Sequence, residues 1–117
     1  MTKRELAEYL EDILTAISQI EKFTSGLTLE DFSNNEVIFL AVVQAITVIG
    51  EAVKNVPDEL RRNYPDIPWK SIAGMRDKLV HEYWAIDEKV VWKVVKENAP
   101  LLKVRIAQVI EDLQADE

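Results

Sequence analysis

The chain is 117 residues long, 48% hydrophobic and 30% charged, with no cysteine and a formal net charge of −7. This length supports one compact core and not two, and the composition is that of a globular protein, so a single domain over residues 1–117 is expected and a disordered chain is excluded. Without Cys there is no disulfide framework, thiolate nucleophile or Cys-based zinc site, and the acidic balance excludes a coat protein that neutralises nucleic acid over a broad basic face.

Thr2 begins the first element: Glu5 stands three residues on, as in a capping box, and Leu6, Leu10, Ile13, Leu14, Ile17 and Ile20 recur at helical spacing. A helix over about residues 3–22 is predicted, its acidic face in solvent. Met1-Thr2-Lys3-Arg4 is basic, but Glu5, Glu8, Glu11 and Asp12 follow where a secretory signal needs an apolar run. Thr24-Ser25-Gly26 closes this helix, and Thr28-Leu29-Glu30-Asp31 caps a short turn before Ser33-Asn34-Asn35 breaks the chain. From Glu36 to Val53 the sequence is apolar almost all round. That pattern suits a central helix packed on several sides, or one that keeps a side for a partner subunit. Its longest apolar run, Val37 to Ile49, is 13 residues and carries Gln44 and Thr47. A bilayer needs roughly 20, so no membrane span is expected and the protein is expected in the cytoplasm.

Pro57 to Pro68 holds three of the four prolines and reads as a connection with a turn of helix over Asp58 to Arg62. Ile67-Pro68-Trp69 opens a further helix that continues over Lys70 to Tyr83, with Pro in the first turn, where its missing N–H matters least. Gly74 lies mid-helix at a cost of about 1 kcal/mol relative to Ala, which points to close approach of another backbone or to a groove for substrate. Val90, Val91, Val94 and Val95 follow helical spacing with Asp87 as N-cap. Asn98-Ala99-Pro100 kinks or restarts that helix, and Leu102, Ile106, Val109, Ile110 and Leu113 complete it. The expected fold is all-α, an antiparallel bundle of about four to five helices.

Chemistry concentrates between Gly74 and Trp84. Eight residues there hold Arg76, the only histidine, His81, and the phenol of Tyr83. Arginine brings a fixed charge and a fork of donors suited to phosphate, and histidine can take and give a proton near neutrality. The surroundings are the basic part of an acidic chain: residues 54–78 hold six basic and four acidic side chains, against three and seven over residues 1–31 and four acidic ones in residues 111–117. There is no Gly-rich phosphate loop, and no Glu-x-x-His pair for a di-metal bundle, since position 78 is Lys.

Read as Arg-x4-His-x-Tyr, the segment from Arg76 to Tyr83 resembles the signature of the HepT-like toxins of the HEPN superfamily. Ile49-Gly50-Glu51-Ala52, Tyr64-Pro65-Asp66-Ile67-Pro68-Trp69, Ile72-Ala73-Gly74-Met75-Arg76 and Ala85-Ile86-Asp87 are similar to that family too, so the likeness spans roughly residues 5–113. Asp77 stands where Asn is also common and can pair with Arg76, and Trp84 and Ala85 replace a frequent Phe and Gly. The resemblance implies a HEPN-like bundle and a metal-independent endoribonuclease toxin of a type VII-like toxin-antitoxin pair, with Arg76 and His81 as catalytic residues and no cofactor. It further implies an RNA substrate such as tRNA, a homodimer whose motifs meet in a shared cleft, and a cognate nucleotidyltransferase antitoxin that attaches AMP to Tyr83. Asp77, Lys78 and Glu51 are the expected supporting residues. Glu51 is either the edge of a buried stripe or a carboxylate that faces the cleft and orients Arg76.

One geometric difficulty stands out. On an ideal helix Arg76 and Tyr83 share a face, while His81 is about 140° from Arg76. Either the helix ends or distorts near Val80 to Glu82, or two copies of the motif face each other. Attack by a 2'-hydroxyl needs both a base and an acid, which two His81 side chains supply. A reading from another class is a non-catalytic helical module that binds nucleotides or a partner in the cleft. Trp69, Trp84 and Trp92 can stack on bases or pack inside the fold.

Overall fold

The computed structural model describes residues 1–116. Thr2 accepts a hydrogen bond from the Glu5 amide at 3.0 Å and starts helix α1, Lys3–Thr24, whose Leu10, Ile13, Ile17 and Ile20 are wholly buried. The helix runs a half-turn past its expected end because Thr24 turns its hydroxyl back onto the Ile20 carbonyl at 2.7 Å, which lets a polar side chain stay inside. Gly26, at φ 76°, then reverses the chain. Thr28 and Asp31 form a reciprocal capping box on the short α2, Leu29–Ser33, which delivers Phe32 into the core.

Helix α3, Glu36–Lys54, is the centre of the bundle: α1, α2 and α5 all pack on it. By length and composition alone this helix is long and apolar enough to cross a membrane, as the core helix of a bundle can also be. Here most of its apolar side chains pack against α1, α2 and α5. Arg61 of α4, Asp58–Asn63, closes the end of α3 by donating from Nη2 to the Val53 carbonyl (2.6 Å) and from Nε to the Val56 carbonyl (3.1 Å). A basic side chain on terminal carbonyls is favourable there, where the helix dipole is negative.

Helix α5, Trp69–Glu82, starts one residue after Pro68, which holds the cap position and not the first turn. The approach to it, residues 64–69, is clasped to the last helix by Tyr64 Oη donating to Asp112 (2.5 Å) and by the Asp66–Arg105 ion pair (2.6 Å). A 3-10 turn, Tyr83–Ala85, follows α5, and Asp87 caps α6, Glu88–Lys93. Residues Val94–Asn98 widen into a π-helical turn before α7, Ala99–Ala115. Pro100 explains the widening: it has no N–H to give residue 96, and its ring would strike that carbonyl in a regular α-turn. The chain thus restarts at Ala99 without a break. Among the described residues there is no strand, so the all-α bundle expected from the sequence stands.

Candidate functional site

The site is built where α3 and α5 come closest. Gly50 is buried, and a Cβ placed on it would lie 2.1 Å from the Arg76 Cβ and 2.7 Å from its Cγ. The stem of Arg76 therefore rests directly on the bare backbone of α3, and no larger residue at position 50 permits that approach. Gly74, the glycine expected to mark a close contact, has nothing within 4 Å of such a Cβ. Within the chain no close approach occurs at Gly74: it lies on the exposed side of α5, and the contact belongs to Gly50 on the facing helix.

From this seat the guanidinium reaches two carboxylates. Nη2 meets Glu51 at 3.1 Å, and Nη1 donates to Asp77 Oδ1 at 3.0 Å. The same Asp77 oxygen also accepts from Lys54 Nζ, so two cations from two helices converge on one atom. Lys54 first, and Arg76 second, hold the Asp77 carboxyl below its usual range. Arg76 itself is only 24% exposed, whereas Glu51 and Asp77 are 57% and 48% exposed. Pairs this open to water are screened, so the cluster fixes where the guanidinium points more than it stabilises the fold. Arg76 Nε is buried and finds no acceptor among the described residues. Glu51 is thus a partner of Arg76, not a bystander at the rim of a stripe.

His81 lies in the last turn of α5, exposed and without a hydrogen bond among the described residues. The helix stays regular through it. The break falls at Glu82, whose φ of −142° and ψ of 35° leave the helical region. That break redirects Tyr83 and not His81, so within one chain the imidazole keeps its place about 140° around the helix from Arg76. Tyr83 is 46% exposed and meets Trp84 edge-on at 5.5 Å between ring centres. Its hydroxyl makes no hydrogen bond among the described residues. Lys78 is exposed and joins no ion pair among them.

Of the three tryptophans, Trp69 is buried with its indole N–H on the Tyr64 carbonyl (3.0 Å), and Trp92 packs against Phe32 under Lys96. Trp84 alone is open, at 73% exposure. It shares a shallow pocket with Leu40 of α3, and Val37 and Val48 on α3 and Val80 on α5 are also exposed apolar side chains. Sequence reasoning missed Lys54. The signal was there in its spacing of three from Glu51 and four from Gly50, which puts it over the same face of α3.

An all-α bundle whose central helix offers a glycine as the seat for the arginine of an Arg-x4-His-x-Tyr segment is a HEPN-like bundle. Within that class the chain belongs to the HepT-like ribonuclease family, whose sequence profile matches residues 13–109. It is 43% identical to an inferred RNase of Methanocaldococcus jannaschii over 97% of this chain and 98% of the relative. It is 48% identical to the probable ribonuclease HepT of Thermococcus cleftensis over 86% of this chain and 92% of that protein. An inferred RNase of Caldanaerobacter subterraneus is 38% identical over 88% and 92%. No solved structure matches the chain.

Proposed function

We propose that this protein is a metal-independent endoribonuclease acting as a homodimer, the toxin of a toxin-antitoxin pair that a nucleotidyltransferase silences by attaching AMP to Tyr83. The observation that carries this reading is the division of labour along α5: Arg76 is seated on Gly50 and held by Glu51 and Asp77, while His81 is left exposed with no partner among the described residues. A fixed cation suits a phosphate, and an imidazole free of structural bonds suits proton transfer.

In the proposed reaction one His81 takes the proton of a ribose 2'-hydroxyl as its oxygen attacks the adjacent phosphorus. The bond from phosphorus to the 5'-oxygen breaks, and the His81 of the second copy protonates that oxygen. The products are a 2',3'-cyclic phosphate and a free 5'-hydroxyl. Arg76 stabilises the charge that grows on the phosphorane. Because each chain offers one imidazole, base and acid come from two copies, and the exposed apolar strip of Val37, Leu40 and Val48 on α3 supplies a surface on which they meet. The exposed ring of Tyr83 is reachable by a modifying enzyme, and a bulky anion there would obstruct the site and oppose incoming phosphate.

One cleavage assay tests the scheme. Cutting of RNA in EDTA is expected to persist, to fall about 10²–10⁴-fold in His81→Ala, and to vanish on RNA with a 2'-deoxy residue at the scissile nucleotide. Treatment with the cognate nucleotidyltransferase and ATP should stop wild type but not Tyr83→Phe. Cutting of the 2'-deoxy substrate refutes internal attack, and equal silencing of Tyr83→Phe by modification elsewhere on the protein refutes the assignment of Tyr83.

A further inference from the structure

We propose that Lys54 and Arg76 form a two-pronged clamp for a phosphate of the RNA, and that the Asp77 carboxylate is the resting occupant of that clamp. This rests on the ribonuclease reading above. Lys54 comes from the last turn of α3 and Arg76 from the middle of α5, yet both donate to one atom, Asp77 Oδ1. Their convergence is set by the backbone, because Gly50 lets the two helices meet one turn before Lys54. A carboxylate oxygen and a phosphoryl oxygen accept the same charge-assisted bonds at the same lengths. The place Asp77 Oδ1 holds is therefore a place a phosphate oxygen can hold.

The rest of the cluster fits an exchangeable occupant. Glu51 keeps Nη2, so Arg76 stays aimed while Nη1 changes partner. Asp77 is about half exposed and Lys54 about a third, so an incoming anion reaches both without opening the core. The two cations also divide the task by their chemistry: Arg76 is a rigid fork, and Lys54 is a point charge on a flexible stem that can follow the phosphate. Lys54 and Arg76 hold the Asp77 carboxyl below its usual range, and an anion that takes its place must compete with that contact. Two cations and two carboxylates neutralise each other in the resting cluster, so an incoming anion competes with Asp77 and does not meet a bare positive site.

The test uses a fluorescent, mixed-sequence RNA oligonucleotide that is fully 2'-O-methylated, so that it binds but lacks the nucleophile. Binding is followed by anisotropy over a salt series for wild type, Lys54→Gln, Asp77→Asn and the double variant, with thermal melting to establish that each is folded. Lys54→Gln is expected to weaken binding about two- to fivefold, the range of an exposed ion pair, and to lower the slope of log K against log salt by about 0.7, one phosphate contact on a single strand. Asp77→Asn should tighten binding by a similar factor, and the lysine change should cost more in that background, because the released ammonium then acts on RNA alone. An unchanged slope in folded Lys54→Gln, or weaker binding by folded Asp77→Asn, overturns the clamp. Cleavage of unmodified RNA is measured beside it: if wild type cuts while the lysine change leaves the slope intact, only the clamp fails, and if wild type neither binds nor cuts, the nuclease reading fails with it.

Discussion

A methyl group on residue 50 would stand 2.1 Å from the Arg76 Cβ, with the main chain of α5 only 3.3 Å away, so nothing flexible is available to yield. Gly50→Ala must push α3 and α5 apart. The expected loss is about 1–3 kcal/mol of stability from overpacking, with cleavage down about 10²-fold as Arg76 leaves its alignment with Glu51. Gly74→Ala is the internal contrast: it sits in the same helix as Arg76 but faces open space, so it should gain about 0.5–1 kcal/mol from helix propensity. Urea unfolding of the two variants checks both signs, and equal midpoints would contradict the close seat of the arginine. The same pair marks what a sequence can and cannot disclose. Both glycines interrupt a helical pattern and look alike as letters, because which one faces a neighbour depends on how two distant helices cross. For the same reason Arg76 stood out by its chemistry, whereas Lys54, 22 residues away, had no motif to join it to the cluster.

Helices announced themselves wherever a polar side chain caps its own backbone: Thr2, Thr28 and Asp87 each accept from an amide two or three residues on, and the elements begin there. The two irregular turns were less legible. Asn98-Ala99-Pro100 signalled a disturbance, but the π-turn that absorbs it lies over Val94–Asn98, upstream of the proline, because the missing bond falls four residues back. The 3-10 turn at Tyr83 carries no proline or glycine at all. What fastens these elements is most exposed to pH at the clasp between residues 64–69 and α7. There the bond from Tyr64 holds the Asp112 carboxyl below its usual value, and Asp112, with burial second, pushes the Tyr64 phenol up to about 12. The lowered carboxyl stabilises the fold above its unfolded pKa and ceases to do so as pH falls through its folded one. The raised phenol stabilises below pH 10, its ordinary value, and ceases to do so as pH rises towards about 12. The difference in unfolding midpoint between wild type and Tyr64→Phe should therefore be widest on a plateau around neutrality and shrink at both extremes. A difference that is flat from acid to alkali would show that the hydroxyl is not bonded to that carboxylate.

At the scale of the molecule, the proposed scheme asks an acidic chain of net charge −7 to gather two imidazoles at one polyanion. Val37, Leu40, Gln44, Val48 and Glu51 recur every three or four residues, so the exposed apolar side chains of α3 lie on the face that ends at the partner of Arg76. Trp84 of the 3-10 turn shares a shallow pocket with Leu40 of that strip. A strip of this kind, continuous with a charged site, is where an isologous two-fold contact would place the second motif beside the first. Contact there would also leave the acidic stretches of residues 1–31 and 111–116 free to face solvent, limiting the repulsion between two like-charged chains. Leu40→Asp tests this at little cost to the core, since Leu40 is 44% exposed and lies outside the buried cluster. Across a two-fold axis the substitution sets two carboxylates in an apolar contact, a repulsive arrangement that association must overcome. Sedimentation should find wild type dimeric and the variant monomeric at the same concentration, with unchanged helical circular dichroism and cleavage reduced at least about 10²-fold, the contribution of one positioned acid or base. A monomeric variant that cuts as fast as wild type would mean that each chain completes the chemistry alone, and the second imidazole would have to be replaced by a group of the same chain.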